Sequence, residues 1–169
     1  MKFEKSNIKD VDTIMQILSD ARSRIGRLGI DQWQYGYPTR DIVIEDVNLH
    51  RSFIVLDDDG SICAVFTMID DGEPTYQKIY DGEWLGEGKP YIAVHRIAVA
   101  GNKLKRGLAS AVMQWAEGHA KEIGYASVRI DTHVGNVPMR GMLEKNGYKH
   151  CGTINLSDGQ LRCAYEKLV

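Results

Sequence analysis

No uninterrupted apolar run in this 169-residue chain approaches the length needed to cross a bilayer, so a membrane-spanning helix is not expected. The first ten residues, MKFEKSNIKD, lack the apolar core of a signal peptide. A basic excess is missing as well. Lys and Arg number 21 against 23 Asp and Glu, and the formal net charge of -2 argues against a general binder of nucleic acid or of an anionic membrane. Cysteine is scarce: Cys63, Cys151 and Cys163 are odd in number, far apart and set in apolar or strand-like contexts. They read as buried, reduced thiols of a cytoplasmic protein. With no CxxC and no histidine pair at helical spacing, no metal site is expected. Repeats, low-complexity tracts and linkers are also absent, and the length fits one domain over residues 1–169.

What is present reads as a mixed α/β fold. Over residues 10–28, Val11, Ile14, Met15, Leu18, Ala21, Ile25 and Leu28 recur at three- and four-residue steps, the stripe of an amphipathic helix that Gly29 would stop. DQWQYGYPTR is too aromatic for a plain linker and too broken for a helix, and RDIVIEDVNLH resumes a shorter helix. Two apolar, β-branched runs around Asp-Asp-Asp-Gly in SFIVLDDDGSICAVFTMID predict a hairpin. Residues 71–90, rich in Gly and acidic residues, predict a long loop with a short helical turn; loops of this length are often functional. YIAVHRIAV is a further strand, followed by a helix expected to bury Leu108, Val112, Trp115, Ala116, His119 and Ile123. ASVRIDT, VPMRGMLEKN, GYKHCGTI and LRCAYEKLV then read as strand, short helix and two closing strands, giving a sheet with helices on its faces.

The segment AVAGNKLKRGLASAVMQWAEGHA carries Lys103, Lys105 and Arg106 into Gly107-Leu108-Ala109 and a helix. The first N–H groups of a helix have no internal partner and the dipole adds positive charge there, so an anion such as a pyrophosphate could sit at this start. Neither a P-loop nor a Gly-x-Gly-x-x-Gly fingerprint is present. On these residues alone, an anion seat and a solvated basic loop are both open.

The surroundings resemble the GNAT superfamily of N-acetyltransferases. Its first signature, an apolar strand end and then Arg/Gln-x-x-Gly-x-Gly/Ala opening a helix, is matched by Ile97-Ala98-Val99 and by Leu104-Lys105-Arg106-Gly107-Leu108-Ala109. Its second is matched by Asn136 and, a helix later, Lys145-Asn146-Gly147-Tyr148. The resemblance covers nearly the whole chain and implies a mostly antiparallel sheet of six to seven strands, splayed in the middle and flanked by four helices. It departs at Leu104, where the family has Arg or Gln, and at Leu143, where many members carry a Tyr that protonates the leaving thiolate.

The resemblance implies transfer of an acetyl group from acetyl-CoA (coenzyme A) to a primary amine of a small molecule or peptide, by direct attack in a ternary complex. The Ile97 amide would polarise the thioester carbonyl. Ala98 and the main chain of Val99 would hold the pantetheine arm, residues 104–110 (Leu104, Lys105, Arg106, Gly107, Leu108, Ala109 and Ser110) the pyrophosphate, and Asn136 the cofactor near its pantetheine end. Lys103 or Lys105 would supply the charge that Leu104 lacks. An alkylamine arrives as ammonium, so a base is required. His95, two residues before Ile97, is the first candidate and His133 the second, with Asp131 placed to orient either; each histidine also has a plain structural reading. Trp33, Tyr35 and Tyr37 would wall the acceptor, with Tyr80 and Trp84 as a lid, and the acidic residues Glu73, Asp81, Glu83 and Glu87 would favour a cation. Core or solvated roles explain these residues as well. Dimers are common in the family, and the edge made by the last strands is where a homodimer would form. The alternative from another class is an acyl-CoA-binding sensor without chemistry, supported by Leu143.

Overall fold

The computed structural model describes residues 1–104 and 106–169. Seven strands lie in the order β1-β2-β3-β4-β5-β7-β6: β1 (Lys2–Lys5), β2 (Ser52–Leu56), β3 (Ile62–Ile69), β4 (Tyr91–Val99), β5 (Ser127–Thr132), β6 (Lys149–Asn155) and β7 (Leu161–Leu168). The helices are α1 (Val11–Gly26), α2 (Arg40–Asn48), α3 (Leu108–Glu122) and α4 (Val137–Lys145). The sheet is mostly antiparallel, with β4 and β5 a parallel pair. Sequence reading misses β1, a four-residue strand, and otherwise finds each element. Among the described residues no helix is long and apolar enough to cross a membrane.

The chain forms two compact units. The first comprises Met1–Met68 with Arg96–Val112. Its core joins Val11, Ile14, Ile17, Leu18 and Ala21 of α1 to Val43 and Val47 of α2 and to Ile54, Val65 and Ala98 on the strands. Each buried Val, Ile or Leu contributes about 1.5–3 kcal/mol, so this stripe, more than intrinsic propensity, keeps α1 helical. The other face of the hairpin stacks Phe53 on Phe66, ring centroids 5.3 Å apart, with Phe3 edge-on to Phe66. Thr39 starts α2 by accepting the Ile42 N–H at 3.3 Å.

The second unit comprises Ile69–His95 with Met113–Val169. Here β4 and β5 pair from Tyr91↔Ser127 to Ala93↔Arg129, and both strands run on beyond that register. Helix α4 ends as the second signature dictates. Gly147 has φ +84°, its N–H reaches the Glu144 carbonyl, and the Tyr148 N–H reaches the Leu143 carbonyl at 3.0 Å. That is a Schellman stop, and it buries Tyr148 and Leu143.

The long loop is anchored. Glu166 is fully buried and accepts hydrogen bonds from Ser127 Oγ, Arg129 Nε and the backbone N–H groups of Leu85 and Gly86. The Arg129 guanidinium lies between the rings of Trp84 (4.3 Å) and Tyr91 (3.9 Å). Farther back in the loop, Tyr80 exchanges two backbone hydrogen bonds of 2.8 Å with Thr153 of the terminal strand β6. The sheet edge expected to be open for a homodimer is therefore occupied at that point.

Helix α3 buries Leu108, Val112, Met113, Ala116 and Ala120. Ile123, expected in the core, lies past the helix end and is 40% exposed. Trp115 and His119 are half-buried and stack on each other at 5.6 Å.

Candidate active site

In the first unit the chain leaves β4 through Ile97 and Ala98, both buried, and the half-buried Val99. The Val99 carbonyl, expected to receive the pantetheine arm, already accepts a 2.5 Å hydrogen bond from Nη2 of Arg24 on α1. A carbonyl oxygen carries two lone pairs, so this contact does not by itself exhaust its accepting capacity. The residue before Ile97 is unusual: Arg96 has φ +53°, left-handed backbone inside a strand. That placement costs a non-glycine residue about 1–2 kcal/mol. It also interrupts the period-two alternation that would put His95 and Ile97 simply on one face.

Gly107 has φ +72°, and the first α3 hydrogen bond closes from the Ala111 N–H to the Gly107 carbonyl at 3.0 Å. The N–H groups of Leu108 and Ala109 precede that bond and face off the helix end. The left-handed turn and the open space around Gly107 fit an approaching phosphate. Ala109 and Ser110 are half-buried and Leu104 is exposed. The charges are arranged differently from the sequence expectation. Lys103 Nζ lies 2.7 Å from Oδ2 of Asp57, and Nη1 of Arg106 lies 2.6 Å from the same oxygen. These two cations hold the Asp57 carboxyl well below the usual carboxylate range and are committed to the β2–β3 turn. The expectation for Lys105 lies outside the described residues.

Of the acceptor-wall residues, Trp33 packs against the α1–α2 core and tilts toward Tyr37 at 6.5 Å. Tyr35 is 79% exposed. Tyr37, partly exposed, accepts a 2.5 Å hydrogen bond from Nη1 of Arg96.

In the second unit His95 stands between two carboxylates. Its Nε2 is 2.9 Å from Oε2 of Glu73. Its Nδ1 is 3.8 Å from Oδ1 of Asp131, which accepts a 2.6 Å hydrogen bond from the Tyr76 hydroxyl. Thr75 donates its N–H and hydroxyl to Oε1 of Glu73. Burial raises the Glu73 pKa, but the close contact with His95, aided by the hydrogen bonds from Thr75, outweighs it and brings the value down to about 2. Burial and the Asp131 charge push the Tyr76 phenol well above its ordinary value, so it remains a donor. The imidazole of His95 thus has a carboxylate on either side.

Three expected residues take structural places. Trp84 is no lid: it is 7% exposed, belongs to the core with Tyr76 and Ala93, and donates Nε1–H to the Tyr76 carbonyl. Asn136 caps α4 by accepting the Met139 N–H. His133 accepts the Gly135 N–H at Nδ1, which shapes the turn after β5. Tyr80 is partly exposed beside Lys78. Leu143, at the family's tyrosine position, is fully buried. Sequence reading missed the roles of Glu73, Tyr76 and Arg96. Glu73 was one acid among five in its loop, and nothing local marked the other two.

A mixed α/β sheet of this order, with a glycine turn onto α3 after a strand ending in Ile-Ala-Val, defines the acetyltransferase class of fold. The model of the "Acetyltransferase (GNAT) family" matches residues 12–148, and the chain belongs to that family. A GNAT-family acetyltransferase structure from Streptococcus agalactiae is 35% identical, with a TM-score of 0.89 over 99% of this chain and 95% of that one. A spermidine N-acetyltransferase chimera from Vibrio cholerae and hSSAT is 15% identical with a TM-score of 0.66, covering 99% and 96%. A structure of the NatC complex bound to Gag peptide and CoA is 10% identical with a TM-score of 0.68, covering 99% and 98%. The last two share the fold alone. No curated protein matches this chain.

Proposed function

We propose that this protein is an acetyl-CoA-dependent N-acetyltransferase that modifies a primary amine of a small molecule or peptide by direct attack in a ternary complex. The observation that carries the reading is His95, held between Glu73 and Asp131 two residues before Ile97 in the chain. Acetyl-CoA, when bound, supplies the activated acetyl group. The main chain of Ile97, Ala98 and Val99 would hold its pantetheine arm, and the Gly107 turn with the first α3 amides its pyrophosphate. The Ile97 N–H would polarise the carbonyl under attack.

His95 takes the proton from the incoming ammonium, directly or through water, and its two flanking carboxylates stabilise the imidazolium that results. Glu73 and Asp131 also leave this region acidic, which favours a cationic acceptor. A structure of the same fold named a spermidine N-acetyltransferase, and another bound to a peptide and CoA, support a small-molecule or peptide amine as the acceptor. Leu143 has no ionisable group, so the thiolate leaves without a tyrosine at that position, as a moderately good leaving group can. The enzyme works in the cytoplasm, and a homodimer would use surface other than the edge at Thr153.

The test is thermal stabilisation by acetyl-CoA against ATP, followed by thiol release across a panel of amines and peptides. Stabilisation with release supports the transferase. Stabilisation without release for any amine supports the acyl-CoA sensor instead, and Leu143→Tyr is then the informative variant. No stabilisation at saturating acetyl-CoA overturns the reading.

A further inference from the structure

Arg96 is the left-handed residue inside β4, and its side chain is tied in three directions. Nη2 lies 2.7 and 3.0 Å from the two carboxylate oxygens of Asp46, and Nε lies 3.0 Å from Oδ2 of Asp46 and 3.3 Å from Oγ1 of Thr67. Nη1 donates to the Tyr37 hydroxyl at 2.5 Å. Asp46 is 6% exposed on α2, whose neighbours Val43 and Val47 are buried, and Thr67 is 4% exposed on β3. Both anchors therefore belong to rigid elements of the first unit.

A buried, fork-shaped ion pair of this kind is more than a surface contact. Only a planar guanidinium satisfies Asp46, Thr67 and Tyr37 at once; a lysine ammonium would not. Relaxing φ at Arg96 to an extended value would swing the side chain away from all three partners. That backbone turn sets the direction of the next amide, the N–H of Ile97.

We infer that the Arg96–Asp46 pair is a positioning device for the reaction: it holds the left-handed turn that aims the Ile97 N–H and hangs the acceptor-wall Tyr37 from the same guanidinium. The inference rests on the proposed transferase reading, in which Ile97 polarises the acyl carbonyl and Tyr37 contacts the amine. Arg96 and Asp46 act through those two residues and do not touch substrate.

The test compares two double variants, Asp46→Asn with Arg96→Gly and Asp46→Asn with Arg96→Ala. Both lose the ion pair and the tether on Tyr37, so KM for the amine rises alike in both. Glycine adopts positive φ without strain and alanine does not. The glycine double is therefore expected to keep a kcat at least tenfold above the alanine double, although its chain is the more flexible. Equal kcat values, or a lower one with glycine, overturn the inference, since a purely structural pair would favour alanine. A second readout uses Asp46→Asn alone, should either double fail to fold. The Ile97 amide resonance and the three-bond HN–Hα coupling of Arg96 are expected to shift from their wild-type values, and unchanged values overturn the inference. Absence of thiol release and of acetyl-CoA binding in the wild type overturns the transferase reading instead, and the resonance test still decides whether Asp46 holds the turn.

Discussion

The imidazole of His95 and the carboxylate of Glu73 lie 2.9 Å apart, and Glu73 comes from the long loop that precedes β4. Loop and strand are thus joined at the residue proposed to take the proton. Replacing His95 with Gln is expected to lower kcat at neutral pH by about 10²-fold or more, with acetyl-CoA binding retained. Steady-state rates beside a thermal shift with acetyl-CoA check both halves of that statement.

Glu73→Gln removes the carboxylate that lies 2.9 Å from the imidazole. It is expected to lower kcat with acetyl-CoA binding retained, read by steady-state rates beside a thermal shift. An unchanged kcat would show that Glu73 does not act through His95.

The same carboxylate makes the fold acid-sensitive. Its folded pKa, about 2, lies below the ordinary value of 4.5. A depressed carboxylate contributes stability that is complete above the unfolded value and is lost as pH falls through the folded one. The contribution is on the order of 3 kcal/mol. Denaturant titrations between pH 5 and about 2 are expected to show a steeper loss in the wild type than in Glu73→Gln.

Arg129 and Glu166 are both buried, and each leaves a charge behind if the other goes. Glu166→Leu or Arg129→Met alone is expected to cost about 3–5 kcal/mol. The Glu166 variant also strands the N–H groups of Leu85 and Gly86, so it should be the worse of the two. Urea melts of both variants check the order.

Gly107→Ala separates conformation from crowding. Nothing lies within 4 Å of where the new methyl would sit, so the cost comes from φ +72°. Stability is expected to fall by about 1–2 kcal/mol and acetyl-CoA binding to weaken as the turn relaxes. Calorimetric titration with acetyl-CoA reads the second effect.

Elements with a strong local pattern were legible in the sequence. The α1 stripe, the Asp-Asp-Asp-Gly hairpin and the α4 stop at Gly147 all encode their structure in neighbouring residues. The second signature proved to be partly a capping device, with Asn136 opening α4 and Gly147 closing it. Strand β1 was missed because four residues reading Lys-Phe-Glu-Lys carry too little pattern until β2 pairs with them. Trp84 read as a lid because its neighbours are acidic and glycine-rich, yet Arg129 and the Tyr76 carbonyl draw it into the core. At the site, His95 and the Ile97 strand were visible, while Glu73 and Tyr76 gain meaning only from β4 and β5 partners distant in the chain. A left-handed Arg96 has no local signal: the asparagine, aspartate or glycine that usually marks such backbone is absent.

The bridge from Tyr80 to Thr153 covers part of an outermost strand that could otherwise pair with another chain. An outermost strand with unpaired N–H and C=O groups is a template for pairing with another chain, and that route leads to aggregates. Tyr80 satisfies Thr153 in place of a stranger, and the fit is tight. A methyl at Gly152 would come within 2.5 Å of the Tyr80 carbonyl, and one at Gly82 within 1.9 Å of the Cys151 carbonyl. Side chains at either glycine would lift the loop from β6 and uncover its backbone, so damage there would surface first as precipitation rather than as lost turnover.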